Sequence, residues 1–171
     1  AEATALRVDK QTSILRWGVA DMTANKCEKN DLGEIMSYNL ETTVNGPNGT
    51  DISYFKVEMS DYNIIGEAGK ITTTEYSDSA RATLSKKDIQ ENITRDASGN
   101  TLSYKLTSTN YDVAGLELKT TYSFITMGDY AGDNPTWITT AQYVEDFVAT
   151  AVPAEATALR VDKQTSILRW G

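Results

Sequence analysis

Apolar and polar residues alternate with a period of two in several stretches of this chain, which is the pattern of strands with one face turned to a core. The clearest case runs through Met36, Tyr38 and Leu40, is broken by the turn cluster Asn45-Gly46-Pro47-Asn48-Gly49, and resumes from Ile52 to Met59. It predicts a hairpin. Lys70–Tyr76 and Ala80–Leu84 are β-rich, and after the turn signature Asp96–Asn100 the positions Leu102, Tyr104 and Leu106 alternate again. Ser85–Ile89 reads instead as a helical turn, with Ser85 as N-cap and Asp88 three residues on. Nowhere is there a run suited to the helices of parallel βαβ units, so the expected class is all-β and antiparallel.

One stretch stands apart, because AEATALRVDKQTSILRWG occupies residues 1–18 and recurs without change at 154–171. Each copy reads as a strand pair, Ala5–Val8 and Ile14–Trp17 around the polar turn Asp9-Lys10-Gln11; a helix suits it less, since its apolar stripe is broken. The repetition divides the chain into a module of 153 residues, long enough to bury a core, and the start of another. Residues 1–153 are accordingly expected to form one β-sandwich module, with the polar stretch 19–50 as an insertion and 154–171 as the start of the next module or a donated segment. Trp17 is expected in the core. The second copy is expected to add strands to a neighbouring unit, with Leu159, Val161, Ile167, Leu168 and Trp170 as its apolar anchors. Head-to-tail contacts of that kind propagate into a filament unless the rotation closes.

Leu116 to Gly132 resembles the part of a fibronectin type III domain that runs from the E–F corner along strand F: a Leu before a short turn, the early Tyr122, and an Ala131-Gly132 loop at the end. Phe147–Pro153 is similar to the last strand and interdomain proline of that family, and Ala158–Val161 with Ser166–Trp170 to the first strands of a following module. The resemblance covers about a third of the period and implies an immunoglobulin-like antiparallel sandwich with added strands, Tyr122 and Phe124 in its core, and Ile125 and Met127 pointing outward. The period exceeds the family's usual length, the surplus lying between Trp17 and Leu116.

Composition narrows the function. The net charge of −8 argues against nucleic acid and anionic membranes as partners, and no apolar run approaches the ~20 residues that cross a bilayer. The start of the chain lacks the basic-then-apolar pattern of a secretory signal and reads as a mature or excised piece. Cys27 is single, so no disulfide framework is expected, and histidine is absent, which removes the commonest general base and zinc ligand. Asp129, Asp133 and Asn134 form an oxygen-rich loop of the kind that holds calcium, but without EF-hand spacing, and ordinary turn chemistry explains it as well. Asn48 and Asn92 head glycosylation sequons. No carboxylate pair, Glu145/Asp146 and Asp61/Glu67 included, is singled out by spacing as a glycosidase pair. The expectation is therefore a non-enzymatic structural repeat of an extracellular or cell-surface filament or adhesin, without cofactor, whose partners are copies of itself. A carbohydrate-binding module, stacking tyrosines on a glycan, is the alternative.

Overall fold

The computed structural model describes residues 10–16, 27–46, 49–132, 134–148 and 160–167. Its strands are β1 (Lys10–Arg16), β2 (Glu28–Lys29), β3 (Ile35–Gly46), β4 (Gly49–Ser60), β5 (Lys70–Tyr76), β6 (Leu84–Arg95), β7 (Thr101–Tyr111), β8 (Glu117–Ala131), β9 (Asn134–Tyr143) and β10 (Arg160–Ile167). The described residues contain no helix. All ten strands belong to one sheet in the order β1-β3-β4-β5-β6-β7-β8-β9-β10, every pairing antiparallel, with β2 added beside β3. The resemblance to fibronectin type III implied two facing sheets with crossing connections; here each strand from β3 to β9 simply pairs with its sequence neighbours.

Register sorts the strand residues into two alternate sets. The front set contains the row Asn39–Lys56–Thr74–Lys87–Thr109–Thr120 and the row Ser60–Lys70–Glu91–Lys105–Phe124–Ala141. The back set contains Tyr38 and Val57, Met59 and Ile71, and Tyr104 and Ile125, paired across neighbouring strands. A second layer on either face would bury every other residue of the central strands. In β6 the first eight positions are instead all half-exposed, and among the residues whose burial is described no side chain falls below 2 % exposure. The middle of this sheet is therefore one layer thick.

With little apolar volume to bury, stability rests on cross-strand pairs. On the front, Lys70 Nζ lies 2.8 Å from Glu91 and Thr109 Oγ1 lies 2.9 Å from Thr120 Oγ1; on the back, Ser108 Oγ donates to Asp88 at 2.5 Å, and Lys86 Nζ meets the same carboxylate at 2.7 Å. Aromatic side chains cluster at the β8–β9 end, where the segment after β9 folds back and Phe147 packs against Tyr143, 4.6 Å between centroids, and edge-on to Phe124 at 6.5 Å.

Several expectations need correction. Ser85–Ile89 is not a helical turn but part of β6, because β5 and β7 supply ladder partners on both edges and outweigh a weak local cap. Residues 19–50, expected to hold an insertion, include β3, which pairs with β1, β2 and β4. Phe147 and Val148 do not continue as a strand. Ile125, expected to point outward, is 8 % exposed, since Tyr104 lies opposite it in the back set.

A single loop design makes most of the hairpins. Asn30, Asn63, Asp96 and Asp112 each accept, through Oδ1, the N–H groups of the residues two and four positions on, and each is followed three residues later by a glycine at φ between 78° and 87°. Each also exchanges backbone hydrogen bonds across the loop. The first three recur at intervals of 33 residues. In the loop between β5 and β6, Arg81 takes the glycine's place at φ 55° and Asp78 caps it. That strain is offset by what the side chain reaches: the Phe55 carbonyl at 3.3 Å, Glu41 at 3.9 Å and the Tyr54 ring. Backbone N–H donation, that of Thr83 first, holds the Asp78 carboxyl below the usual carboxylate range, and the Asn100 side-chain amide does the same first for Asp96. A depressed folded pKa contributes stability above the unfolded value, and that contribution is lost as pH falls through the folded one. The loops are therefore expected to loosen on the acid side of the carboxylate range, which amide exchange at Ala82 and Ser98 against pH would register. A Cβ at Gly115 meets nothing within 4 Å, so Gly115→Ala isolates the backbone cost of a left-handed residue, about 1 kcal/mol. Gly115→Asn should cost less, since Asn tolerates that region; denaturation midpoints in the opposite order would contradict the assignment.

Candidate self-assembly interface

The described parts of the duplicated segment lie at the two ends of the sheet, each as one strand that includes the Lys-Gln expected in a turn, because ladder partners on β3 and β9 hold it extended. The first copy supplies β1, with Lys10 opposite Asn45, Thr12 opposite Thr43, Ile14 opposite Glu41 and Arg16 opposite Asn39. The second supplies β10, with Lys163 opposite Ala141, Thr165 opposite Thr139 and Ile167 opposite Trp137. Residues 163–167 repeat residues 10–14, so one five-residue sequence, Lys-Gln-Thr-Ser-Ile, is seen pairing with two different strands.

Geometry makes those pairings complementary. Strands β3 and β9 are separated by five alternating strands and run the same way, so β1 and β10 also share a direction. Arg16 lies in the front row of Asn39 and Lys56, and Lys163 lies in the front row of Ala141, Phe124 and Lys105. Lys10, six residues before Arg16, belongs to the same alternate set, so the repeated lysine falls in the front set in both copies. With direction and set equal, the edge that β1 turns toward β3 is the edge β10 leaves open, and the edge β10 turns toward β9 is the one β1 leaves open. Among the described residues neither outer edge has a strand partner. An open edge presents unpaired N–H and C=O groups, a template for another strand.

Of the expected docking residues, Ile167 lies in β10 opposite Trp137, and Val161 sits at the irregularity between Arg160 and Asp162. Leu159, Leu168 and Trp170 lie outside the described residues, as do Trp17 and Asp133. Tyr122 and Phe124 are half-buried on the front of β8. In the presumed calcium loop Asp129 accepts a hydrogen bond from Trp137 Nε1 at 3.0 Å, and Asn134 is exposed. Asn48 is outside the described residues; Asn92 is exposed, at φ 53°. Cys27 is a half-exposed free thiol. The tyrosines form no single stacking row, since Tyr54 pairs with Tyr76 and Tyr122 with Tyr143 at separate places on the front, while Tyr38 and Tyr104 are on the back. Asp146 faces Lys105, not Glu145, and Asp61 and Glu67 flank a loop whose Asn63 side chain donates to Glu67 at 2.9 Å.

Two features went unseen in the sequence. Lys105, in the alternating stretch after Asp96, is 7 % exposed, with Nζ 2.5 Å from Asp146, 3.9 Å from Glu91 and 5.3 Å above the Phe147 ring. The 33-residue recurrence of Asn/Asp-x-x-Gly is the other, and it was detectable by spacing alone.

Fold and edges together define the class: an antiparallel β protein of one sheet, partly a single layer, bearing the same strand sequence at both edges. No known protein family, curated protein or solved structure matches the chain.

Proposed function

We propose that this chain is a structural module of an extracellular or cell-surface filament or adhesin, linked head to tail with copies of itself through the duplicated segment. The observation that carries the reading is that one strand sequence pairs with β3 at one end and β9 at the other, in the same direction and alternate set. In a tandem array a segment present once per junction then serves both neighbours, as the last strand of one module and the first of the next. The repeating unit is eight strands, β3 to β9 and the shared one; an even number restores the strand direction at each junction. The acidic charge and the lack of histidine fit a scaffold better than a reaction centre. The sandwich implied by the fibronectin resemblance is not needed for this role.

The test is a two-module protein, residues 1–171 followed directly by residues 19–171. Strands spaced ~4.8 Å apart add about 38 Å per eight-strand unit along the sheet. Small-angle scattering should show a stiff particle lengthened by that amount. Two modules tumbling independently about the junction would remove the basis for the proposal.

A further inference from the structure

We infer that the 171-residue chain is capped by its own second copy, and that the edge of β9 is a docking site whose occupant is the same segment of a second molecule. The inference rests on the head-to-tail reading and specifies the site and register of its joint. In this chain β10 already fills the β9 edge and β1 already fills the β3 edge. The outer edge of β10 is shaped for a neighbour's β3, but that strand is occupied by the neighbour's β1. The outer edge of β1 is shaped for a neighbour's β9, which is occupied by the neighbour's β10. What remains open to two capped chains stacked in the sheet's own orientation is β10 against β1. These run the same way, so they would meet as a parallel pair, which breaks the antiparallel meander and is slightly less stable per residue. The edge sequence Lys-Gln-Thr-Ser is also polar and carries a lysine, a device that blunts edges against casual pairing.

Removing the second copy changes the balance. A chain of residues 1–153 exposes β9 while keeping β1, whose outer edge is the match for it. Transposing the observed register by one period puts Lys10 of one molecule opposite Ala141 of the next, with Thr12 opposite Thr139 and Ile14 opposite Trp137. Each addition leaves a fresh β9 at one end and a fresh β1 at the other, so growth does not terminate of itself.

The experiment compares residues 1–171 with 1–153 by sedimentation over a range of concentrations, with circular dichroism to confirm β structure. The longer chain should stay monomeric. The shorter should grow with concentration, and an excess of the free peptide 154–171 should return it to a monomer. As a second route that leaves the chain length intact, the pair Gln164→Pro and Thr165→Pro in β10 acts on either alternation of the ladder. Neighbouring residues point their N–H groups to opposite edges, so one of the two prolines removes a donor to β9. This variant should also associate. In the unaltered chain, amide exchange along 160–167 should alternate between slow and fast.

A folded 1–153 that stays monomeric overturns the inference. So does assembly of the unaltered chain as ready as that of 1–153, assembly of 1–153 indifferent to the peptide, or uniform exchange along 160–167, slow because the outer edge is occupied or fast because β9 is bare. If the two-module protein is stiff and extended while 1–153 does not associate, the head-to-tail reading stands and only the separable cap is lost. If the two-module protein is flexible, the head-to-tail reading itself fails.

Discussion

Gly128→Ala should destabilise the sheet by about 2–3 kcal/mol, although replacing glycine within a strand ordinarily stabilises it. Gly128 on β8 lies opposite Trp137 on β9, and the indole lies across it: a Cβ there would stand 2.7 Å from Cζ2 and 3.1 Å from Cε2. A long side chain could swing clear at small cost, but this one is anchored, its Nε1 donating to Asp129 at 3.0 Å. Moving the ring gives up that bond, which is solvent-exposed and so a minor part of the cost, as well as the packing of the indole on β8. The denaturation midpoint of Gly128→Ala should fall, and Trp137→Leu in the same chain should absorb much of the loss. An unchanged midpoint would show that the indole is not held where it lies.

Lys105→Ala is the second large effect expected, about 2–4 kcal/mol, and Lys105→Met a smaller one of about 1–2 kcal/mol because the apolar stem over Phe147 is kept. Breaking a buried ion pair costs most where a charge is left stranded. Here that penalty is limited, since Asp146 is 65 % exposed and Glu91 keeps Lys70 at 2.8 Å. What is lost is the link from the sheet to the segment after β9, through the ion pair with Asp146 and the ammonium above Phe147. The side-chain hydrogen bond from Lys105 holds the Asp146 carboxyl below its ordinary range. Its contribution is present above the unfolded carboxylate value and lost as pH falls through the depressed one. The native chain should therefore lose stability over that acid interval, and Lys105→Met should lose less there. Equal acid slopes in parallel denaturation series would remove Lys105 from the account.

Much of the strand content was legible because alternation and turn chemistry are local. The hairpin at 36–59 and the alternation after Asp96 both rest on neighbouring residues, and the structure has strands at each. Ser85–Ile89 misled because a serine cap is a signal worth only about a kcal/mol, whereas β6 is decided by ladders with β5 and β7. Lys105 was unreadable for a related reason: its partners come from β6 and from the segment after β9, and no spacing rule brings Glu91, Lys105 and Asp146 together.

By itself the sequence determined the all-β, antiparallel class seen in the described residues, where several of the turns fall, and that 18 residues at 1–18 recur unchanged at 154–171. Period-two alternation does not say how many layers will form, because a strand in a sandwich and a strand in a single sheet show the same two faces. That was left to tertiary structure: one sheet through ten strands, half-exposed on both faces at β6. Tertiary structure also decided that the duplicated strand pairs with β3 at one end and β9 at the other, since the edge a strand offers depends on its direction and set within the whole sheet. Two identical sequences are locally indistinguishable; only their positions at opposite ends of the sheet make them complementary.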